Sequence, residues 1–303
     1  MGMTRTLAVV VVAGMMARAN LALASEPVGP QAHNPAFSVT VAGSGDRPMV
    51  LIPGLMSSGD VWNGVVEHYS SDYRLHVLTI AGFAGVPPVE GPVLERVRDD
   101  LIAYIRTHAL HRPILVGHSL GAVIALWVAS VAPESVGDIV AIDGVPFASA
   151  LIDPAAVADD MAAGAETMRA LYRSMTPEQL ERQSRVALRT MISDPAHVAL
   201  AAEWAKHSSG ASAGQAVYEL MTTDLRRTVA GIRSDVLLIA AAKAFASNAG
   251  RLETVLKAYE DQVALVPRHR VIAASGALHF VMLDDPEFLL AAMDEFLDAR
   301  RAR

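Results

Sequence analysis

The 303-residue chain contains no cysteine. This absence excludes disulfides, thiolate nucleophiles, cysteine-bound zinc and iron–sulfur clusters. The chain also lacks a His-Glu-x-x-His pattern and a Gly-Lys-Ser/Thr loop. Metalloprotease and nucleotide-hydrolase functions therefore have no support in the sequence.

Positive charge is scarce, with 25 Lys and Arg against 32 Asp and Glu, a formal net charge of −7 and no cluster of basic residues. We therefore expect no nucleic-acid partner. A hydrophobic content of 52% with 19% charged residues is typical of a globular protein with a large core. The length is sufficient for one large domain with an insertion or for two modest domains.

The N-terminal segment has no apolar run long enough to span a bilayer comfortably. Leu7–Ala17 is an apolar stretch of 11 residues that follows Arg5, and residues 22–24 read Ala-Leu-Ala. This pattern predicts a secretory signal peptide over residues 1–24, cleaved before Ser25, and an uncleaved anchor or a disordered tail are the alternatives. We expect an exported protein, in a bacterial periplasm or secreted, whose mature chain makes no stable membrane insertion.

Short apolar runs alternate with helical patterns through the rest of the chain. The predicted strands are Phe37–Val41, Met49–Ile52, Leu75–Ile80, Ile114–Val116, Ile139–Ile142, Val236–Ala240 and Val271–Ala274. The predicted helices between and after them are Val61–Tyr69, Leu94–His108, Leu120–Val131, Leu252–Val263 and Pro286–Ala302. This alternation predicts an α/β fold with a mostly parallel, doubly wound sheet of about eight strands.

Residues 146–233 are the exception, because they show helical periodicity, many Ala and Met, and no convincing strand. We predict a helical cap here, inserted into a core formed by residues 25–145 and 234–303. Three Pro dipeptides indicate helix starts, at Asp153-Pro154, Thr176-Pro177 and Asp194-Pro195.

Large side chains of the cap could line an apolar site over the carboxyl edge of the sheet. They are Met161, Met168, Tyr172, Met175, Met191, Trp204, Tyr218 and Met221. The alternatives are that most of them pack the core of the cap itself, or that the segment forms a dimer or membrane-surface element. The oligomeric state stays open.

The strand run Ile114–Val116 leads into residues 117–121, Gly-His-Ser-Leu-Gly, and an apolar helical pattern follows at once. This context is typical of a nucleophile elbow with Ser119 at its tip. Gly117 and Gly121 would let the strand and helix approach closely, and the helix N-terminus would face an oxyanion. The alternative is a plain turn between a buried strand and a buried helix.

An acyl-transfer nucleophile needs a base and donors for the oxyanion. His279 follows the last strand and precedes the last helix, which places it at the carboxyl edge with Ser119. His118 is a poor candidate because neighbouring side chains on a turn diverge. The predicted oxyanion donors are the backbone N–H groups of Leu120 and Leu55, with Met56 as second choice for the latter.

The acid of the site is less clear from the sequence. The loop at residues 241–250 is the expected place and holds no carboxylate. Asp143 ends an apolar strand beside the one that bears Ser119, and we predict that it pairs with His279. A turn-forming role for Asp143 is the alternative, with Glu260 and Asp261 as other candidates for the acid.

With the loop at residues 52–55, the elbow at 117–121 and the segment 279–286 in this order, the chain resembles the α/β-hydrolase superfamily over roughly residues 37–300. The insertion resembles the helical cap that follows the sixth strand in many members. Relatives with the acid after that strand exist, although the commonest arrangement places it after the next strand.

The resemblance implies a serine hydrolase that cleaves a carboxylic ester, or a lactone or thioester, through an acyl-enzyme and a Ser119–His279–Asp143 triad. Cleavage of an amide or a carbon–carbon bond would use the same residues. Serine acyl transfer needs no cofactor and no metal, and the Met- and Ala-rich cap predicts a small, apolar, ester-like substrate. The alternative is a ligand-binding protein on the same fold with a degraded triad.

Overall fold

The computed structural model of the protein describes residues 35–245 and 247–301. The predicted signal peptide at residues 1–24 lies outside these residues. Within them, no helix has both the length and the apolar character needed to cross a membrane.

Seven strands form the sheet in the described part of the chain. They are β1 (Phe37–Ala42), β2 (Arg47–Ile52), β3 (Tyr73–Ile80), β4 (Ile114–His118), β5 (Ile139–Ile142), β6 (Val236–Ala241) and β7 (His269–Ala274). Their order is β1-β3-β2-β4-β5-β6-β7, and every neighbouring pair is parallel except β1 with β3. The predicted α/β class is confirmed, with seven strands here where about eight were expected.

Ten α-helices connect or follow the strands in the described residues. They are α1 (Asn63–Tyr69), α2 (Val93–Thr107), α3 (Leu120–Val131), α4 (Ala158–Ser174), α5 (Pro177–Leu188), α6 (Pro195–Lys206), α7 (Gly210–Thr222), α8 (Ala249–Val263), α9 (Val281–Asp284) and α10 (Pro286–Arg301).

Both faces of the sheet are buried. In β2, Val50 and Ile52 belong to one core cluster with residues of α2, α3 and α8. Met49 and Leu51 belong to a second cluster with residues of α1 and α10. Because successive side chains of a strand point to opposite faces, an unbroken apolar run is what a doubly covered strand requires.

Helices α4 to α7 lie in the segment 146–233, between β5 and β6. The Thr176 hydroxyl and the Gln179 side chain form a capping box at the start of α5, and the Asp194 carboxylate caps α6. The dipeptide Asp153-Pro154 starts no helix, since the Asp153 carboxylate accepts from the Ala155 N–H in a turn and α4 begins at Ala158.

One buried carboxylate joins helix α7 of the cap to the start of α2 in the core. Glu219 of α7 accepts hydrogen bonds from the backbone N–H groups of Val93 and Leu94, both at 2.7 Å, at the N-terminus of α2. Burial raises the pKa of Glu219 against the opposing effect of these bonds and of Gln215. The free N–H groups of a helix start are thereby satisfied from the cap.

Candidate active site

Ser119 occupies a strained backbone position between β4 and α3. Its φ of 54° and ψ of −118° lie in a region that residues with a side chain rarely adopt. Close approach of the surrounding backbone enforces this turn: a Cβ atom on Gly121 would lie 2.1 Å from the Ile52 carbonyl oxygen, and one on Gly117 would lie 2.3 Å from that of Gly121. The strand and helix therefore hold the Ser119 side chain at the carboxyl edge of the sheet.

Asp143 directly follows the neighbouring strand β5, as Ser119 directly follows β4. His118 and Ile142 are partners in the β4–β5 register, so Ser119 and Asp143 are the residues that directly follow paired positions. Asp143 also has a positive φ, 46°. The Ser119 N–H donates to the Ile142 carbonyl at 2.8 Å, which ties the two turns together.

The Asp143 carboxylate contacts His279. Its Oδ2 lies 2.5 Å from His279 Nδ1, and its Oδ1 accepts from the Tyr259 hydroxyl at 2.6 Å and the Ala241 N–H at 2.8 Å. Burial alone would raise the pKa of Asp143, but the hydrogen bonds and charge of His279, together with the other two donors, hold it below its ordinary value. An ionised Asp143 fixes the proton of His279 on Nδ1, which leaves Nε2 free to accept one.

Three further hydrogen bonds hold the loop that carries His279. The His279 carbonyl accepts from His118 Nε2 at 3.0 Å, the Phe280 N–H donates to the Met191 carbonyl at 3.2 Å, and the Leu278 N–H donates to the Asp284 carboxylate at 3.0 Å. Ser119 and His279 line the same cavity. In the part of the chain described, no hydrogen bond joins Ser119 Oγ to the His279 ring, as is common without a bound substrate.

His118 is fully buried and serves the loop rather than the nucleophile. Burial, aided by the neighbouring His279, lowers the pKa of His118 to about 3. Its ring is therefore neutral, and since Nε2 faces a carbonyl oxygen, Nε2 carries the proton. Its Nδ1 finds no hydrogen-bond partner among the described residues.

The other carboxylates considered from the sequence lie elsewhere. Glu260 pairs with His269 at 2.8 Å and Asp261 pairs with Lys257 at 2.8 Å, both on the exposed face of α8. The residue that reaches the site from this helix is Tyr259, which the sequence reasoning missed. Its spacing from Leu252, Leu256 and Val263 on the apolar face of the helix was the available signal.

The predicted oxyanion donors belong to two different segments near Ser119. Leu120 is the first residue of α3, where backbone N–H groups have no carbonyl partner within the helix. Leu55 and Met56 line the cavity, and Met56 has a φ of 53°. The glycine beside them is tightly enclosed, since a Cβ on Gly54 would lie 2.9 Å from His118 Nδ1.

The cavity beside Ser119 has a volume of about 160 Å³. Residues from the core and from α4, α5, α6 and α7 line it: Leu55, Met56, Ser57, His118, Ser119, Tyr172, Gln183, Ser184, Ala187, Leu188, Met191, Ala201, Ala205, Leu220, His279 and Phe280. A cavity of this size holds a group about as large as benzene.

Of the large cap side chains named from the sequence, Tyr172 and Met191 line this cavity. Met161 packs with Phe147 in a small separate cluster, and Trp204 belongs to a main core cluster. The cap therefore contributes to the site mainly through smaller side chains. Within the described residues, no group of three or more His, Cys, Asp or Glu is arranged to hold a metal ion.

The model of the alpha/beta hydrolase family matches residues 49–292. The chain belongs to the alpha/beta hydrolase family. The resemblance seen in the sequence is thereby confirmed.

Curated relatives of this alpha/beta hydrolase include pimeloyl-[acyl-carrier protein] methyl ester esterases. The one from Edwardsiella ictaluri (strain 93-146) is 24% identical over 270 residues, 85% of this chain and 96% of the relative. The one from Sodalis glossinidius (strain morsitans) is 28% identical over 104 residues, 34% of this chain. The match with the latter spans about two fifths (39%) of its length.

Solved structures show the same fold at low identity. A hydrolase from Pseudomonas aeruginosa PA01 has a TM-score of 0.70 and 18% identity, with 86% of this chain and 94% of that chain covered. The enol-lactonase from Burkholderia xenovorans LB400 has a TM-score of 0.66 and 15% identity, with 86% and 96% covered.

Proposed function

We propose that the protein is a serine hydrolase that cleaves a carboxylic ester through an acyl-enzyme. The observation that carries the proposal is the hydrogen bond between Asp143 and His279 at the sheet edge that also bears the strained Ser119. A buried carboxylate, an oriented imidazole and a serine on a helix N-terminus form the constellation that acyl transfer needs. The curated relatives are named as esterases, which agrees with this assignment.

In the proposed mechanism, Ser119 Oγ attacks the ester carbonyl carbon while His279 Nε2 takes its proton. Asp143 stabilises the imidazolium that forms, without itself accepting the proton. The Leu120 and Leu55 N–H groups hold the oxyanion of the tetrahedral intermediate, each contributing roughly 3 kcal/mol. His279 then protonates the leaving alcohol.

Water hydrolyses the acyl-enzyme in the second half of the reaction, with His279 again as base and then as acid. The same steps serve a lactone or a thioester. In a lactone the leaving alcohol stays attached to the acyl group, and in a thioester a thiol leaves.

The test is hydrolysis of a p-nitrophenyl ester series from acetate to palmitate by the wild type and by Ser119→Ala. We expect the wild type to turn over the short esters and Ser119→Ala to lose at least about 10³-fold in kcat while remaining folded. Ser130→Ala is the matched control, because that hydroxyl bonds to the Trp127 carbonyl on the far part of α3. Labelling by a fluorophosphonate should depend on Ser119, and equal labelling of Ser119→Ala would contradict the proposal.

We also propose that the protein is exported, on the basis of the signal-peptide pattern in residues 1–24. N-terminal sequencing of the protein from fractionated cells tests this. A chain that begins at Ser25 outside the cytoplasm supports export, and a chain that retains residues 1–24 in the cytoplasm contradicts it.

A further inference from the structure

The cavity beside Ser119 is lined by no acidic or basic side chain apart from those of His118 and His279. None of the described residues that line it is Asp, Glu, Lys or Arg. A carboxylate or an ammonium group placed against the cap helices, away from His279, would lose its hydration without gaining an opposite charge. The cavity therefore selects against substrates whose acyl or alcohol part carries a charge into it.

Polar groups are few on the cap side of this cavity. Helix α5 contributes Gln183 and Ser184 next to the apolar Ala187 and Leu188. Ser184 is buried, at 7% exposure, whereas Gln183 is exposed and lines the cavity at its rim. Ser119 and His279 come from the core. The polar groups of α5, Gln183 and Ser184, therefore lie in a different part of the lining from the proposed catalytic groups.

The Ser184 hydroxyl differs from three other hydroxyls that lie in or just after helices of this protein. Thr167, Ser208 and Thr222 each donate to the carbonyl of the residue four positions earlier, at 3.0, 2.9 and 2.8 Å. Ser184 makes no such bond, and neither its hydroxyl nor the Gln183 amide has a hydrogen-bond partner within the described residues. A hydroxyl that lines a cavity and makes no hydrogen bond to the protein is available to a ligand.

We propose that the substrate of this site is an uncharged ester whose acyl or alcohol part carries one hydrogen-bonding group, an ether, hydroxyl or carbonyl oxygen, recognised by Ser184 with Gln183. The proposal rests on the ester hydrolysis proposed above. Ser184 and Gln183 are specificity-determining residues in it. The apolar Leu188, Met191 and Leu220 contact the remainder of the substrate, and its ester carbonyl lies at Ser119.

Three p-nitrophenyl esters test the proposal. The butyrate is apolar, the methoxyacetate replaces one methylene of the butyrate by an ether oxygen, and the hemisuccinate carries a carboxylate. For the wild type we expect kcat/KM for the hemisuccinate to be about 100-fold or more below that for the butyrate. Because the intrinsic reactivities of the esters differ, the effect of a variant is read as the change in the methoxyacetate-to-butyrate ratio.

We expect Ser184→Ala to lower that ratio about tenfold. Gln183→Leu should lower the ratio less, because this side chain is partly in solvent. Ser174→Ala is the control, since its hydroxyl bonds to the Leu171 carbonyl on α4, outside the cavity lining.

Two results would overturn the proposal: hemisuccinate cleaved as fast as butyrate, or an unchanged ratio in Ser184→Ala. Both differ from failure of the proposed function, in which no ester is cleaved and Ser119 is not labelled by a fluorophosphonate. In that case both proposals fall together.

Discussion

The cavity beside Ser119 has a core wall, formed by residues at the sheet edge, and a cap wall, formed by helices α4 to α7. The two walls are built in different ways. On the core wall, Ser119 and Asp143 sit in positive-φ turns at the ends of adjacent strands, and backbone atoms enclose the neighbouring glycines. On the cap wall, helices present mostly short side chains. Elsewhere in the cap, the exposed Gly164 of α4 has no atom within 4 Å of the place where a Cβ would lie. The groups proposed for the chemistry thus lie where the backbone has little freedom, and the groups proposed for selectivity lie where side chains can change.

Alanine at one glycine of the core and at one glycine of the cap should have opposite effects on stability. Gly121→Ala places a Cβ 2.1 Å from the Ile52 carbonyl, so we expect a loss of about 3 kcal/mol or more in the free energy of unfolding, together with loss of activity. Gly164→Ala should instead stabilise α4 by about 0.5–1 kcal/mol and leave hydrolysis unchanged. Urea unfolding and ester hydrolysis measure both, and a stable, active Gly121→Ala would refute the rigid-core description.

A second pair compares one carboxylate from each region. Asp143→Asn presents an amide N–H to His279 Nδ1 and favours the wrong tautomer, so we expect kcat to fall by about 10³–10⁴-fold. Asp224→Asn breaks an ion pair with Arg226 in the cap segment and should leave kcat within about twofold. Steady-state kinetics of both variants is the measurement, and similar losses in the two would show that Asp143 has no special role.

The pH dependence of stability adds a third test. The pKa of Asp143 is held below its ordinary value in the folded protein. The ionised carboxylate therefore makes its full contribution to the free energy of unfolding at pH values above the unfolded pKa of about 3.9. This contribution is lost as the pH falls through the lower pKa of the folded protein. The stability difference between the wild type and Asp143→Asn should therefore be constant near neutral pH and shrink below about pH 4. If the stability difference between the two proteins were the same at lower pH, the charge of the Asp143 carboxylate would contribute nothing to stability.

The smallest effect is expected from a pair of tyrosines. Tyr259→Phe removes the hydroxyl that donates to Asp143 at 2.6 Å, which should cost about 1.5 kcal/mol in stability and at most about tenfold in kcat. Tyr218→Phe in α7 keeps the ring that lies against Arg169 and should be neutral. Thermal unfolding and kinetics distinguish the two, and a Tyr259→Phe variant identical to the wild type would remove Tyr259 from the site.

Much of this site could be predicted from the sequence because buried strands have a recognisable local composition. Apolar runs covered on both faces indicated the strands, and a lone carboxylate at the end of such a run indicated Asp143. Tyr259 was missed because its partner Asp143 is distant in the chain. Ser184 was missed because its place in the cavity depends on tertiary packing. The Asp143–Tyr259 contact spans 116 positions, and the face of α5 that meets the cavity is set by the packing of the cap, which no local pattern records.

The register between β4 and β5 restricts how this site can change over evolutionary time. An insertion or deletion of one residue in either strand would slide Ser119 past Asp143 by about 3.3 Å and exchange the two faces of that strand. No side-chain rotation compensates for both at once. Diversity among descendants of this chain should therefore accumulate through substitutions and through the lengths of the segments outside these two strands, while the lengths of β4 and β5 themselves stay constant.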